Sequence, residues 1–195
     1  MTEMEIKASL GDMEQARLDE AAARLGFRQT GVCAEEDVYY NGIGRDFRTT
    51  DEALRLRVHT QDGKTEAAVT YKGAKQDARS QTRLELETAV ADAQTMRAIL
   101  ERLGFRAVMA VRKTRRTLQC GKTTLCLDEV DGLGRYLELE TLAPDELGAA
   151  EKERRIDGLL RLLDELGVPR GQLERRSYLE LLMARAMSKK SDQGV

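Results

Sequence analysis

Charged residues alternate with apolar ones at the start of the chain, in the segment Glu3-Met4-Glu5-Ile6-Lys7. A period of two is typical of a β-strand, and here it puts two carboxylates and one ammonium on the same face. Carboxylates are oxygen ligands of the kind that Mg²⁺ and Mn²⁺ prefer. The segment therefore predicts a strand that could bind a divalent cation, provided that its charged face lines a cavity instead of facing bulk water.

The same alternation recurs in later segments, and it places acids and bases on the charged faces in equal numbers. The acids are Glu3, Glu5, Glu85, Glu87, Asp128, Glu138 and Glu140. The bases are Lys7, Arg55, Arg57, Lys72, Arg83, Lys113 and Arg115. Lysine and arginine bind phosphate oxygens, and arginine can do so through two hydrogen bonds at once. Acids and bases that share one cavity would therefore suit a polyphosphate bound together with its metal ion.

Eight strands and four helices are predicted from the hydrophobic periodicity and from the turn residues. The strands are expected near residues 3–10, 32–40, 53–60, 65–73, 80–90, 105–118, 122–130 and 134–142. The helices are expected near residues 12–26, 92–104, 144–167 and 177–187. Short turns such as Asp62-Gly63 make most neighbouring strands antiparallel. The segment Leu25-Gly26-Phe27-Arg28 recurs as Leu103-Gly104-Phe105-Arg106, which indicates a duplicated unit of strand, helix and antiparallel strands.

These elements predict an α+β fold in which an eight-stranded antiparallel β-barrel is covered by amphipathic helices. Eight strands close into a barrel whose interior is only as wide as side chains or a small ligand. Helices that cover the leucine-rich faces from outside would leave the charged faces inside. A dry interior would cost on the order of several kcal/mol per buried ion, more than a marginally stable fold can offset. The predicted interior is therefore a wet tunnel that holds a highly charged ligand.

Composition and charge exclude several other classes of protein. The chain has 195 residues and a formal net charge of -2, so its overall charge does not favour nucleic acid. It holds no apolar run of about 18 residues that would cross a membrane. Three cysteines without a CxxC pair favour a reducing, cytoplasmic location. We expect residues 1–187 to form a single tunnel domain and residues 188–195 to be a disordered tail, and the sequence leaves a homodimer open.

An ordered set of motifs resembles the CYTH superfamily, the triphosphate tunnel metalloenzymes. The set runs through nearly the whole chain as Glu3-x-Glu5-x-Lys7, Asp37-Val38-Tyr39-Tyr40, Leu54-Arg55-Leu56-Arg57, Tyr71-Lys72-Gly73, Arg83-x-Glu85-x-Glu87, Lys113-x-Arg115, Asp128 and Glu138-x-Glu140. The first motif alone is a weak pattern, whereas the ordered set is specific. The segments Arg45–Arg55, Asp131–Gly134 and Arg176-Ser177-Tyr178 are most similar to the class IV adenylate cyclase branch.

The resemblance implies a role for each charged residue of the tunnel, with Mg²⁺ or Mn²⁺ as the cofactor. The metal ligands would be Glu3, Glu5, Glu85, Asp128, Glu138 and Glu140. The residues that bind the triphosphate would be Lys7, Arg55, Arg57, Lys72, Arg83, Lys113, Arg115 and Arg176. Those expected to take part in catalysis are Glu5, Lys7, Lys113, Arg115 and Asp128. The partner would be a nucleoside triphosphate or an inorganic polyphosphate.

Three functions are compatible with these residues. A class IV adenylate cyclase, which the similarity over Arg45–Arg55 favours, would direct the ribose 3′-hydroxyl of ATP at the α-phosphorus and release pyrophosphate. A tripolyphosphatase or thiamine triphosphatase would direct water at the terminal phosphorus. Glu140 favours this second branch, because some class IV cyclases have a small apolar residue there. A non-catalytic protein that binds polyphosphates or nucleotides is the third, although a binder needs cations more than it needs metal ligands.

Overall fold

The computed structural model describes residues 2–76, 78–144 and 147–192. The strands in these parts of the chain are β1 (Thr2–Ser9), β2 (Arg28–Asn41), β3 (Ala53–Gln61), β4 (Lys64–Lys72), β5 (Arg83–Val90), β6 (Arg106–Cys120), β7 (Thr123–Val130) and β8 (Gly134–Ala143). The α-helices are α1 (Gln15–Arg24), α2 (Phe47–Thr50), α3 (Ala93–Arg102), α4 (Ala149–Glu165) and α5 (Tyr178–Asp192). The strands close into a barrel in the order β1-β5-β4-β3-β2-β6-β7-β8. Every neighbouring pair is antiparallel, which confirms the predicted α+β barrel.

Apolar residues of β1 are buried on the outside of the barrel, beneath α1 and α4. Met4 and Ile6 belong to one core cluster with Leu18 of α1 and with Ile156 and Leu163 of α4. Fully burying a side chain of this size contributes about 1.5–3 kcal/mol. The free energy of this cluster therefore fixes which face of β1 points outward, and the alternating charged residues must point into the barrel.

Helix α3 covers the opposite side of the barrel in the same way. Leu100 of α3 packs with Val38 of β2 and Leu56 of β3. The helix begins after Asp92, whose side chain accepts a hydrogen bond from the backbone N–H of Thr95 over 2.7 Å. An aspartate in this position satisfies one of the free N–H groups of the first helical turn. The predicted cover by amphipathic helices is thus present on both sides.

The repeated Leu-Gly-Phe-Arg segments form the same helix end twice. Gly26 and Gly104 have φ angles of 88° and 92°, a left-handed conformation that favours glycine. The backbone N–H of the following phenylalanine donates back into the helix, from Phe27 to Ala22 over 3.0 Å and from Phe105 to Leu100 over 2.9 Å. This is the Schellman ending of a helix. It leads α1 into β2 and α3 into β6, which are neighbours in the barrel.

The barrel is least regular where β1 meets β5. These strands pair at only two positions, whereas β1 and β8 pair at eight. Beyond that point, the backbone N–H of Gln81 donates to the carbonyl of Glu5, and that of Glu174 donates to the carbonyl of Lys7. Two segments outside the strands therefore complete the hydrogen bonding of β1, and one of them brings Gln81 to the barrel wall.

Several boundaries differ from the predicted ones, among them the start of β2, which lies at Arg28 and not near residue 32. Helix α4 begins at Ala149 after Gly148, later than the predicted start at Pro144-Asp145, and Asp145 lies outside the described residues. Residues 41–51 contain the short helix α2, capped by Asp46, in place of a loop without helix. Helix α5 continues through residues 188–192, so this part of the predicted tail is helical. No glycine or proline interrupts it before residue 194, and residues 193–195 lie outside the described residues.

Among the described residues, none of the helices has the length and apolarity that a bilayer crossing requires.

Candidate active site

The barrel encloses a cavity of about 1260 Å³ that is lined by most of the predicted site residues. Those that line it are Glu3, Glu5, Lys7, Arg55, Arg57, Lys72, Arg83, Glu85, Lys113, Arg115, Glu138 and Glu140. Of the predicted site residues, Asp128 and Arg176 do not line this cavity. The charged interior is therefore present, and the neighbours of each residue decide what that residue can do.

Three carboxylates from neighbouring strands meet on one wall, and we call Glu3, Glu5 and Glu140 the acid cluster. Carboxylate oxygens of all three lie within 4.8 Å of one another. Glu5 and Glu140 are direct partners across the ladder of β1 and β8, and Glu3 lies on the same face of β1. Divalent cations such as Mg²⁺ need several oxygen ligands around one point. The acid cluster has that geometry.

Burial and the neighbouring carboxylates set the pKa values of most of the acid cluster. Burial, followed by the nearby Glu138 carboxylate, raises the pKa of Glu5 to about 8. Burial and then the charge of Glu3 hold the pKa of Glu140 well above its usual value. Glu3 differs, because the Lys72 ammonium, a hydrogen bond with Glu85 and the charge of Arg55 together outweigh burial and lower its pKa. In addition, Oε1 of Glu5 is buried without a hydrogen-bond partner. Buried like charges destabilise one another, and a bound divalent cation would remove that repulsion.

A second group of carboxylates lies on β2 among cations from β3 and β6. We call Glu35, Asp37, Arg55, Arg57 and Lys113 the ion-pair cluster. Nε and Nη2 of Arg57 donate to the two oxygens of Asp37 over 2.6 and 2.8 Å. Nζ of Lys113 lies 2.7 Å from Glu35 and 3.0 Å from Asp37. The register explains these pairs, because Arg57 faces Asp37 across one ladder and Lys113 faces Glu35 across the other.

The cations of the ion-pair cluster reverse the effect of burial on its acids. Burial raises the pKa of Glu35, but Lys113 and Arg57 lower it further, to about 2. Arg55 and Lys113 likewise outweigh burial at Asp37 and hold its pKa well below the usual range. The chain therefore neutralises these acids itself, and Arg55 pairs in addition with Glu87. All three cations line the cavity, where an anionic ligand could reach them.

The two clusters lie on opposite walls of the cavity. In the order of strands around the barrel, β1 and β2 are four strands apart in either direction. The acid cluster is on β1 and β8, and the ion-pair cluster is centred on β2. A ligand in the cavity therefore meets three clustered carboxylates on one side and three cations on the other.

Glu35 and Asp37 are absent from the predicted set of site residues. The signal that could have found them is the period of two in Cys33, Glu35, Asp37 and Tyr39. Val38, Tyr39 and Tyr40 interrupt the contrast between polar and apolar residues at the end of this strand. The alternation on β2 is therefore weaker than in segments such as Leu54-Arg55-Leu56-Arg57.

Arg115 is held in place by several carboxylates. Its Nε and Nη2 donate to the two oxygens of Asp128 over 2.7 and 2.6 Å. It also pairs directly with Glu138, and its Nη1 lies 3.6 Å from Glu140. Asp128 is buried behind this guanidinium, so its position is that of a residue that orients Arg115 rather than one that faces the cavity.

Glu138 and Glu85 are paired with cations, although both are predicted metal ligands. Arg115 and Lys7 outweigh burial and lower the pKa of Glu138 to about 2. Glu85 pairs directly with Lys72, yet burial raises its pKa to about 7. Glu138 therefore resembles the acids of the ion-pair cluster more than it resembles its neighbour on β8, Glu140.

Helix α5 closes the end of the barrel at which β7 ends and β8 begins. Tyr178 and Leu181 pack there with Val130 and Tyr136. Other residues of the helix, including Met183 and Met187, line the cavity. Arg176, just before α5, is more than half exposed and pairs with Glu174 over 2.6 Å. Helix α5 therefore forms part of the cavity wall, whereas Arg176 does not line the cavity.

Gln81 is a further residue of the cavity wall that the sequence pattern did not indicate. It is buried, and its Nε2 has no hydrogen-bond partner. An unsatisfied buried amide is costly in a folded protein. Gln81 lies outside the strands, in the segment before β5, so strand periodicity carries no signal for it.

Comparisons with known proteins concern the chain as a whole. Residues 1–178 match the CYTH domain. The chain is 40% identical over 181 residues to a Methanocaldococcus jannaschii protein named "Putative adenylate cyclase MJ0240", covering 93% of this chain and 98% of that one.

Solved structures share the whole fold. The PH1819 protein from Pyrococcus horikoshii OT3 is 39% identical, with a TM-score of 0.84, over 94% of this chain and 99% of that one. A Hippeastrum protein, HpAC1, described as having a dominant triphosphatase activity, is 17% identical with a TM-score of 0.60, over 95% of each chain. At that identity the second likeness concerns the fold alone. With the CYTH domain matched over nearly its whole length, the chain belongs to the CYTH domain family.

Proposed function

We propose that the protein is a divalent-metal-dependent enzyme that acts on triphosphates. The observation that carries this proposal is that the acid cluster and the ion-pair cluster face each other across one cavity. A triphosphate bound with its metal ion presents positive charge to carboxylates and negative charge to cations. Such a ligand is therefore complementary to both walls.

Mg²⁺ or Mn²⁺ fits the acid cluster. Its ligand atoms are carboxylate oxygens from Glu3, Glu5 and Glu140, and Oε1 of Glu5 lacks another partner. Oxygen ligands favour hard cations over softer metals such as zinc. When bound, such an ion would neutralise the negative charge that develops on the phosphates as a P–O bond breaks.

The residues of the chain itself would position the substrate. Arg55, Arg57 and Lys113 would bind non-bridging phosphate oxygens from the wall of β2, β3 and β6. Asp37 keeps Arg57 in one orientation through its two hydrogen bonds, and Asp128 does the same for Arg115. Fixing cations before the substrate arrives reduces the reorganisation that the reaction requires.

Cyclisation of ATP is the first candidate reaction. It is supported by the 40% identity to a protein named as an adenylate cyclase and by the class IV resemblance over Arg45–Arg55. In this reaction the ribose 3′-oxygen forms a bond to the α-phosphorus. The bond from that phosphorus to the oxygen that bridges to the β-phosphorus breaks, pyrophosphate leaves, and the hydroxyl proton passes to solvent.

Hydrolysis of a triphosphate is the second candidate, and one specific observation favours it. Glu140 stands in the acid cluster as a third carboxylate, at a position where some class IV cyclases have a small apolar residue. An additional carboxylate would suit a second metal ion on this wall. In this reaction water adds to the terminal phosphorus, the bond to its bridging oxygen breaks, and orthophosphate leaves.

Product analysis tests both candidates. The full chain is incubated with ATP, tripolyphosphate or thiamine triphosphate in the presence of Mg²⁺ or Mn²⁺, and the products are identified by chromatography. Cyclic AMP and pyrophosphate from ATP would support cyclisation, with tripolyphosphate acting as an inhibitor. Orthophosphate from tripolyphosphate without cyclic AMP would support hydrolysis. Tight binding with no product from any of these three substrates would overturn the proposal of an enzyme and would identify a binding protein instead.

A further inference from the structure

The first residue of α5 contacts the charged groups of the barrel at three points. The hydroxyl of Tyr178 donates a hydrogen bond to Oδ2 of Asp128 over 2.9 Å. The centre of its ring lies 4.5 Å from Nζ of Lys7 and 5.9 Å from Nζ of Lys113. Asp128, Lys7 and Lys113 belong to β7, β1 and β6. One side chain of the helix therefore joins three strands at the cavity.

The ring of Tyr178 forms a cation–π contact with the ammonium of Lys7. An ammonium over an aromatic face is attracted by the ring electrons, and the attraction is larger when both groups are shielded from water. Lys7 and Tyr178 are both buried. Nζ of Lys7 lies 3.9 Å from Glu138, which is beyond hydrogen-bond distance. The ring therefore has a considerable share in fixing where this ammonium points.

The hydroxyl of Tyr178 is connected to Arg115 through the carboxylate of Asp128. Oδ2 of Asp128 accepts hydrogen bonds both from Tyr178 and from Nη2 of Arg115. A carboxylate that is held from two sides keeps its partners in a fixed geometry. Through Asp128, the helix end is thus connected to a third cation of the cavity.

We propose that Tyr178 is a positioning residue that couples the docking of α5 to the arrangement of Lys7 and Lys113 for phosphate binding. This proposal rests on the proposed function, because the ligand of these ammoniums is taken to be a polyphosphate. In this proposal, α5 docks fully on the barrel when the ammoniums of Lys7 and Lys113 both lie next to the ring of Tyr178. A triphosphate that holds them there therefore also stabilises the closed end of the barrel.

The test measures binding of tripolyphosphate to the full chain by calorimetry, in the presence of Mg²⁺. Tyr178→Leu removes the ring, and we expect it to weaken binding about tenfold, because two cation–π contacts are lost. Tyr178→Phe keeps the ring and loses only the hydroxyl, so it should bind within about threefold of the original chain. The matched control is Tyr136→Leu, which deletes a ring that packs edge-on against Tyr178 at 5.2 Å. We expect it to bind like the original chain.

Hydrogen exchange of the α5 amides supplies a readout that a merely structural tyrosine would not change. Tripolyphosphate should slow this exchange in the original chain and in Tyr178→Phe, but not in Tyr178→Leu. If the leucine variant does not fold, Tyr178→Met takes its place, because methionine fills irregular space without an aromatic face.

The outcomes separate this proposal from the proposed function. If the original chain does not bind tripolyphosphate, both fall. If it binds, but Tyr178→Leu binds as tightly and its α5 still responds, only the role of Tyr178 is overturned. Equal weakening by Tyr178→Leu and Tyr136→Leu would also overturn it, because the effect would then be one of packing.

Discussion

The acid cluster and the ion-pair cluster are both groups of buried carboxylates, but their surroundings differ. In the ion-pair cluster, Asp37 receives two hydrogen bonds from Arg57, and Glu35 lies 2.7 Å from Lys113. In the acid cluster, the partner of Glu5 across the ladder is another glutamate, Glu140. The pKa of Glu35 is accordingly about 2, and that of Glu5 about 8. The residue opposite a carboxylate, more than the carboxylate itself, sets its charge state.

This difference assigns separate tasks to the two walls. Acids with a built-in cation are already neutralised, so they can fix the orientation of arginine and lysine side chains. Glu5 faces another carboxylate instead, so its ionisation destabilises the folded protein until a cation arrives from outside. Experiments that remove one charge from each wall should therefore have opposite effects on the stability of the metal-free protein.

The largest expected effect follows from removing divalent metal. Turnover of any triphosphate should fall to the background rate in EDTA, because the acid cluster would then repel the substrate phosphates instead of binding them through a cation. Adding excess Mg²⁺ or Mn²⁺ should restore it, as measured by product release over time. Undiminished turnover in the chelator would contradict the role assigned to the acid cluster.

Asp37→Asn should produce the next largest effect, and on stability. The substitution keeps the shape of the side chain but leaves Arg57 and Lys113 to share Glu35, and leaves Arg55 with the half-exposed Glu87. Breaking a buried ion pair on one side typically costs about 3–5 kcal/mol. We expect a loss of that size in the free energy of unfolding, measured by urea denaturation without metal.

The matched control for that experiment is Asp19→Asn. Asp19 also pairs with an arginine, Arg116, but its side chain is 40% exposed. Exposed pairs contribute at most about 1 kcal/mol. Equal losses in the two variants would show that burial adds nothing to the ion-pair cluster, and the contrast between the two walls would fail.

Glu5→Gln should have a smaller effect on stability and the opposite sign. Glutamine removes one of the crowded charges of the acid cluster and keeps its shape. The free energy of unfolding of the metal-free protein should rise near pH 8, because the folded chain no longer has to ionise a buried carboxyl whose pKa is raised to about 8. Turnover should fall at least about hundredfold at the same time. A destabilised Glu5→Gln protein would instead identify Glu5 as a structural carboxylate.

The barrel and its charged interior could be predicted because alternation is a local property of each strand. Leu54-Arg55-Leu56-Arg57 and Glu138-Leu139-Glu140 each show it within four residues or fewer. Which wall a charge belongs to, and which charge faces it, depends on register between strands that are distant in sequence. Lys113 faces Glu35 although the two residues are 78 positions apart in the sequence, and nothing near either residue indicates that pairing.

The role of α5 could not be predicted for a similar reason. Arg176 and Tyr178 stand two residues apart, and the sequence favoured the arginine because its charge suits phosphate. Only the docking of the helix on the barrel shows that the tyrosine points inward while the arginine pairs with Glu174 at the surface. Tertiary packing decides between neighbours whose local signals are alike.

The smallest expected effect is the pH dependence of the metal-free protein, in which the two walls act in opposite directions. Glu35 has a folded pKa of about 2 against an ordinary value of 4.5, so the unfolded chain binds its proton more readily. Its contribution to stability is therefore complete above about pH 4.5 and is lost as the pH falls toward 2. Glu5 has a folded pKa of about 8, so here the folded chain retains the proton and stability falls as the pH rises from 4.5 to 8.

Thermal unfolding in EDTA should consequently show a maximum near pH 5, with a decline on either side. Glu5→Gln should flatten the decline above that maximum and leave the acid side unchanged, because glutamine does not titrate. Glu35→Gln should do the reverse, lowering stability at neutral pH and flattening the acid side. Saturating Mg²⁺ should raise the thermal stability only at pH values above that maximum, since a bound cation favours the ionised form of Glu5. If both substitutions altered the same side of the curve, the two walls would titrate as one network, and the separation of tasks between them would have to be abandoned.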